Sequence, residues 1–291
     1  MARRPRLTKP HAPTAPGHGK HRPAGYPADV VMPESESPAE SLPGGTVPPA
    51  APAVPAAPVA PASGGSPPGP HPGETAYRQS RFRPPPGATD ILIIRHGESQ
   101  AAHMDKPFPL VNGHADPELA ENGREQAERL AERLAKYPID ALYVTSLCRT
   151  AQTAAPLTER LGLTPQVEPD LREVNLGEWE AGRFRKMVAD NHPVAERMWA
   201  EERWDVIPGA ESTEAFTART TGALQRIAGA HRDQLVAVVV HGGVIAALLA
   251  RATGSRPFAF LGADNASISR LVITPQRWIL RTYNDTAHLE G

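Results

Sequence analysis

Two apolar runs in this chain end in the same way, with a histidine followed by glycine. Asp90-Ile91-Leu92-Ile93-Ile94 leads into Arg95-His96-Gly97, and residues 235–240 lead into His241-Gly242-Gly243. Neutral imidazole is a good nucleophile near pH 7, so His96 is a candidate to attack phosphorus. Arg95 beside it offers the fork of N–H donors that phosphate oxygens accept. Gly97 lets backbone and phosphate approach closely. His241 is a candidate donor to a phosphate oxygen while charged. A third segment, Ser146-Leu147-Cys148-Arg149-Thr150-Ala151-Gln152-Thr153-Ala154, follows the apolar run 141–144. Arg149 falls in the first turn of an expected helix, where the helix dipole disfavours a cation unless an anion sits nearby. Phosphoryl chemistry also needs an acid for the leaving oxygen and a base for the incoming water. Glu173, Glu178 and Glu180 are the candidates, and position alone does not choose among them. Each feature taken singly has a plainer reading: a histidine that ends a strand, or an arginine solvated at the surface.

Elements must bring these groups together. Runs 90–94 and 235–240 are apolar on both faces, as strands inside a parallel sheet are. Residues 123–137 carry Ala127, Leu130, Ala131 and Leu134 at helical spacing, and Pro138 stops them. Residues 141–144 are the next strand. A helix over 147–161 follows, with Thr145-Ser146 as its cap and Gly162 as its stop. A short strand is expected over 164–167 and one or two helices over 183–204. A long amphipathic helix follows over 211–231, through Phe216, Leu224 and Ile227, then another helix over 244–252. Residues 267–273 and 278–283 alternate, and form a hairpin around Pro275-Gln276. This order predicts an α/β fold with a mostly parallel central sheet flanked by helices on both faces. Ligands bind such sheets beyond the carboxyl ends of the strands.

The chain has 291 residues, and 22 of its 33 prolines lie in residues 1–87. That stretch has few aromatic or large aliphatic residues, so it reads as a disordered Pro/Ala-rich tail and default linker. Residues 88–291 then form one domain of ordinary size. The tail has nine Lys/Arg against five Asp/Glu, and the rest 22 against 27, a net of −5. An acidic domain argues against nucleic acid as partner. One cysteine, Cys148, excludes an intrachain disulfide and fits a reducing compartment. No apolar run has the length of a membrane span or a secretory signal, so a cytoplasmic protein is expected.

Taken together and in this order, the Arg95–Ser99 segment, the Ser146–Ala154 segment, Leu171-Arg172-Glu173 and His241-Gly242-Gly243 resemble the histidine phosphatase superfamily, in its phosphoglycerate-mutase-like branch. The stretch Gly113-His114-Ala115-Asp116-Pro117-Glu118-Leu119, then Gly123 and Gln126-Ala127, is similar too. The resemblance covers roughly residues 90–285. It implies a phosphoglycerate-mutase-like fold, with His96 as the nucleophile that becomes phosphorylated and Glu173 as the proton donor. It implies that Arg95, Arg149 and His241 bind the phosphoryl group, and that no metal or other cofactor is needed. Ser99, Asn112 and Gly242 flank or lie within the matched segments and are further candidates for substrate contact. The chain departs from the mutases at Ala102, where they carry asparagine, at the inserted Pro107-Phe108-Pro109, and after Glu173. These departures favour a phosphomonoester hydrolase acting on a small phosphorylated metabolite. A phosphoglycerate-type phosphomutase is the alternative. A non-catalytic phosphate or phosphoprotein binder is the reading from another class, and it has no need of both His96 and Glu173. Loop 100–116 and the insert 183–208 are expected to set substrate choice. Trp179, Phe184, Trp199 and Trp204 are expected mainly to pack that insert. Oligomeric state is left open.

Overall fold

The computed structural model describes residues 79–290. Its chain runs β1 (Thr89–Arg95), β2 (Leu110–Val111), β3 (His114–Ala115), α1 (Glu121–Leu134), β4 (Ala141–Val144), α2 (Cys148–Leu161), β5 (Gln166–Val167), α3 (Arg183–Ala189), α4 (Pro193–Glu201), α5 (Thr213–Ala230), β6 (Leu235–Val240), α6 (Gly242–Thr253), β7 (Ile268–Ile273) and β8 (Trp278–Asp285). Short 3₁₀ turns sit at Pro169–Leu171, Gly177–Trp179 and Trp204–Val206.

Six strands form one sheet in the order β5-β4-β6-β1-β7-β8. Neighbours from β5 to β1 are parallel, whereas β7 and β8 run antiparallel. Ile91 and Ile93 of β1, with Val236 and Val238 of β6, face a core completed by Phe216, Leu224, Val244 and Leu248 from α5 and α6. Leu92, Ile94, Ala237 and Val239 face the opposite way, onto Leu130, Leu134 and Leu157 from α1 and α2. Both faces are therefore dry, which is why these strands read as unbroken apolar runs rather than as alternation. The expected α/β fold with helices on both faces is the observed one. The paired strands β6 and β1 end at the same edge, Arg95 opposite Val240, so His96 and His241 emerge side by side.

Several elements differ from the sequence reading. β5 is two residues long, and β8 reaches Asp285. The β2–β3 hairpin was not expected. Its two-residue loop is Asn112-Gly113, both at positive φ (50° and 80°), as a type I′ turn requires. Trp179 and Trp204 are buried, and Phe184 and Trp199 pack partly buried against the same core. Of the proposed tail, residues 1–78 lie outside the described residues. Residues 79–85 contain no helix or strand, and the Arg281 guanidinium lies 3.8 Å from the Phe82 ring centre.

Candidate active site

His96 sits one residue beyond β1, and backbone ties fix it from three sides. Its N–H donates to Val240 O (2.9 Å), its carbonyl accepts from Asn265 Nδ2 (2.9 Å) and Ala266 N (3.3 Å), and Gly97 N donates to Thr153 Oγ1 (3.0 Å). Gly97 is there for a different approach than the one expected: a Cβ would stand 2.5 Å from Gly123 O, where α1 crosses the loop. The ring's Nδ1 lies 2.7 Å from Gly97 O. A carbonyl only accepts, so Nδ1 carries the proton and Nε2 carries the lone pair. Burial first, then Arg149 and Arg95, hold the His96 pKa well below its usual value. The imidazole is thus neutral, in the tautomer that a nucleophile at Nε2 needs.

Arg149, at the start of α2, is buried and donates from Nε to that Nε2 (3.2 Å). Its Nη1 donates to Ala115 O (2.9 Å) and lies 3.7 Å from Asp116 Oδ1. The same carboxylate oxygen accepts from Cys148 N (2.8 Å), so Asp116 takes up a free N–H in the first turn of α2. The expected cap is corrected here. The N-cap residue is Leu147, with no side-chain cap of its own, and Ser146 Oγ is buried without a partner. Thr145 Oγ1 instead accepts from Leu147 N (3.2 Å) and stands 3.1 Å from His241 Nε2.

The His241 ring lies 5.1 Å from the His96 ring, centre to centre. Burial, then Arg149 and His96, lower its pKa well below the usual value. Both effects favour the neutral form of this ring. When Thr145 donates to Nε2, the proton resides on Nδ1, which is buried without a partner. Arg95 donates from Nη1 to Ala263 O, while its Nε is buried without a partner. Gly242 lies against that guanidinium, where a Cβ would make only ordinary contact with Arg95 Nε (3.5 Å).

Geometry separates the three glutamates. Glu173 accepts from Gly243 N (3.1 Å) at the N-terminus of α6, two residues from His241. A Cβ at Gly243 would stand 2.4 Å from Glu173 Oε1. Glu173 and Glu180 each spend both oxygens on backbone N–H groups, Glu173 also accepting from Val174 N (3.0 Å) and Glu180 from Ala115 N (2.6 Å) and Leu176 N (2.8 Å); what separates them is that Glu173 is tied to the start of α6 beside His241, while Glu178 is exposed. Ser99 is buried and accepts from Arg185 Nη2 (2.7 Å). Asn112 is placed elsewhere: it is exposed in the hairpin turn, where its carbonyl accepts from His114 Nδ1 (3.1 Å).

Three residues were missed. Asp116 lies on the hairpin, whose Asn112-Gly113 pair was the available signal. Arg219 of α5 forms a bidentate pair with Glu211 and donates to the carbonyls of Asp170, Arg172 and Glu173 (2.8–2.9 Å), fixing the segment that carries Glu173. Arg185 of α3 reaches Ser99 from across the insert. Neither arginine has a local sequence signal.

Comparison with known proteins gives one family. The model for the histidine phosphatase superfamily (branch 1) matches residues 91–286. The chain is 35% identical over 206 residues to phosphoglycerate mutase-like protein 4 of Arabidopsis thaliana, covering 69% of this chain and 87% of that one. It is 32% identical over 208 residues to a metal-independent phosphoserine phosphatase of the same plant, covering 70% and 84%. Among solved structures, a mycobacterial glucosyl-3-phosphoglycerate phosphatase aligns with TM-score 0.58 and 30% identity, over 68% of this chain and all of that one.

Proposed function

The chain belongs to the histidine phosphatase superfamily (branch 1), and from that premise we propose that it is a metal-independent phosphomonoester hydrolase acting through phospho-His96. The observation that carries this reading is the His96 tautomer, with a lone pair on Nε2 facing Arg149. A phosphoryl group bound there gives the Arg149 guanidinium an anionic acceptor and frees Nε2. The Nε2 lone pair attacks phosphorus, the P–O bond to the leaving group breaks, and Glu173 delivers its proton to the departing oxygen. The charge gained by the imidazole is held by Nδ1–H donating to Gly97 O. In this reading Arg95, Arg149 and Nδ1 of His241 donate to the equatorial oxygens, where charge is spread in the transition state. Water then attacks phosphorus, the N–P bond breaks, and the Glu173 carboxylate takes the water's proton.

Residues 88–291 form the catalytic domain in this reading, with residues 1–87 appended. Two of the relatives named above are, by their names, phosphatases of small phosphorylated metabolites, and one of these is named metal-independent. A small phosphomonoester is accordingly the substrate class. No described helix is long and apolar enough to cross a membrane, and the single cysteine fits a cytoplasmic setting. The test is phosphate release from a panel of phosphomonoesters in chelator, with wild type and His96→Ala side by side. Release by wild type alone supports the reading. Release by both, or release that chelator abolishes, refutes it. No release, with acid-labile phosphate on His96 after incubation with a bisphosphate, turns it into a mutase.

A further inference from the structure

Gln126 of α1 touches none of the reacting groups, yet it is bonded to the loop that carries them. Its Oε1 accepts from Glu98 N (2.8 Å), 28 residues away along the chain. That N–H belongs to the same peptide unit as the Gly97 carbonyl, which accepts from His96 Nδ1 (2.7 Å). The carbonyl and N–H of one peptide unit share a plane and cannot turn independently. Gln126 therefore fixes the direction in which the Gly97 carbonyl points. Hydrogen bonds at the two ends of one amide also polarise each other. A relay thus crosses the loop. It runs from Gln126 Oε1 through the Gly97–Glu98 peptide to Nδ1–H, and across the ring to the Nε2 lone pair that faces Arg149 Nε (3.2 Å).

This peptide needs an outside tie more than its neighbour does. The His96–Gly97 unit is held at its carbonyl by Asn265 Nδ2 and Ala266 N, and at its N–H by Thr153 Oγ1. Among the described residues, the Gly97–Glu98 unit bonds only to His96 Nδ1 and Gln126. It also follows a glycine, the residue with the freest backbone. Gly97 is required because α1 passes so close, with Gly123 O 2.5 Å from where a Cβ would stand. Gln126 is three residues beyond Gly123, on the same face of that helix. One helix face thus imposes the glycine and restrains the peptide after it. Which imidazole nitrogen carries the proton is set by the hydrogen bond that the other nitrogen makes. In the empty site Arg149 supports the same tautomer by donating to Nε2. In the phosphatase reading that guanidinium turns to the phosphoryl oxygens, and the Gly97 carbonyl is then left to keep the proton on Nδ1.

We propose that Gln126 is a positioning residue, acting through the Gly97–Glu98 peptide to keep the His96 proton on Nδ1 and the nucleophilic lone pair on Nε2. Its effect on rate rests on the phosphatase reading above, whereas the tautomer is read without turnover. The experiment records long-range proton–nitrogen NMR spectra of isotope-labelled full-length protein with inorganic phosphate bound, and His96→Ala assigns the His96 ring. Wild type shows the Nδ1–H tautomer. Gln126→Met keeps the side-chain length without the acceptor, and moves part of the population to Nε2–H. Its kcat falls about 3- to 10-fold, the range of one lost hydrogen bond, while KM and inhibition by phosphate are unchanged. Gln126→Glu keeps an acceptor oxygen and restores both tautomer and rate. Gln126 is partly exposed on α1, so both variants keep the wild-type fold. A wild-type ring with its proton on Nε2 overturns the proposal. An unchanged tautomer in Gln126→Met overturns it too, whether or not kcat falls, because Gln126 is then at most a structural tie. Phosphate inhibition that weakens in step with kcat overturns it as well. If wild type hydrolyses no ester, the phosphatase reading has failed and the spectra still decide. A shifted tautomer in Gln126→Met then supports the positioning role, and an unchanged one overturns it.

Discussion

At the floor of the site, His96 hangs from Val240, Asn265 and Ala266, and Gly97 is tied to Thr153. At the mouth, Arg185 is itself exposed and rests on one hydroxyl and one carbonyl, with the Phe108 ring 5.5 Å from its Cζ. The floor is held by backbone ties before substrate arrives, so reorganisation there costs little. The mouth is solvated and lightly held. In the proposed reading, chemistry belongs to the first region and preference among substrates to the second. Changes at the floor should therefore lower turnover of every ester by a similar factor, whereas changes at the mouth should redistribute it.

The largest expected effect is at the nucleophile. His96→Ala should lose about 10⁴-fold or more in kcat on every ester, with the far-UV circular dichroism of the wild type. Residual turnover near the wild-type rate would remove His96 from the floor altogether. Next comes Arg149→Gln, which should cost about 10²–10³ in kcat/KM on acidic and neutral esters alike. A loss confined to acidic esters would dissolve the distinction between floor and mouth.

Arg219 tests how far the floor extends. It touches no substrate in this arrangement and acts through the backbone that carries Glu173. Arg219→Lys should lower kcat by about tenfold, a part of the ~10²–10⁴ that general acid–base catalysis contributes, while inhibition by inorganic phosphate keeps its constant. A parallel weakening of phosphate inhibition would mean a general loosening rather than a misplaced acid.

The smallest effect is thermodynamic. Folded His96 and His241 stay neutral because burial, then Arg149, lowers both pKa values. Below about pH 6.5 the unfolded chain binds protons that the folded site refuses. Stability therefore falls as pH drops from about 6.5 toward the lowered values, by up to about 1.4 kcal/mol per pH unit for each histidine. Melting temperatures between pH 7.5 and 5.5 check this. A flat profile would show that neither ring is held neutral, and that the floor is not the dry region described.

Much of the floor was legible because its signals are local. β6 is a run without polar residues, β1 has an apolar centre at residues 91–94, and each histidine follows its strand directly, so a strand boundary also marks a candidate site. Thr145, Asp116 and Arg219 were not legible as partners. Asp116 bonds the N-terminus of α2 from 32 residues away, and Arg219 grips the Glu173 carbonyl from 46. Hydrophobic periodicity reports which face of an element is dry, and it has no term for which loop lies over a helix end. Asn112 was misread for a related reason. Its neighbour Gly113 makes it a turn residue, and that chemistry was overlooked in favour of its nearness to a matched segment.

The residue types alone determined that a neutral imidazole, guanidiniums and a carboxylate were available at strand and helix ends, and the apolar runs determined which strands lie inside the sheet. Only the tertiary structure decided which carboxylate meets α6, that His241 is neutral, and that Arg185 faces the nucleophile loop. Glu173 reaches Gly243 across 70 residues and Arg185 reaches Ser99 across 86. Burial and the summed field of neighbouring charges depend on distance in space, and separation along the chain does not encode it.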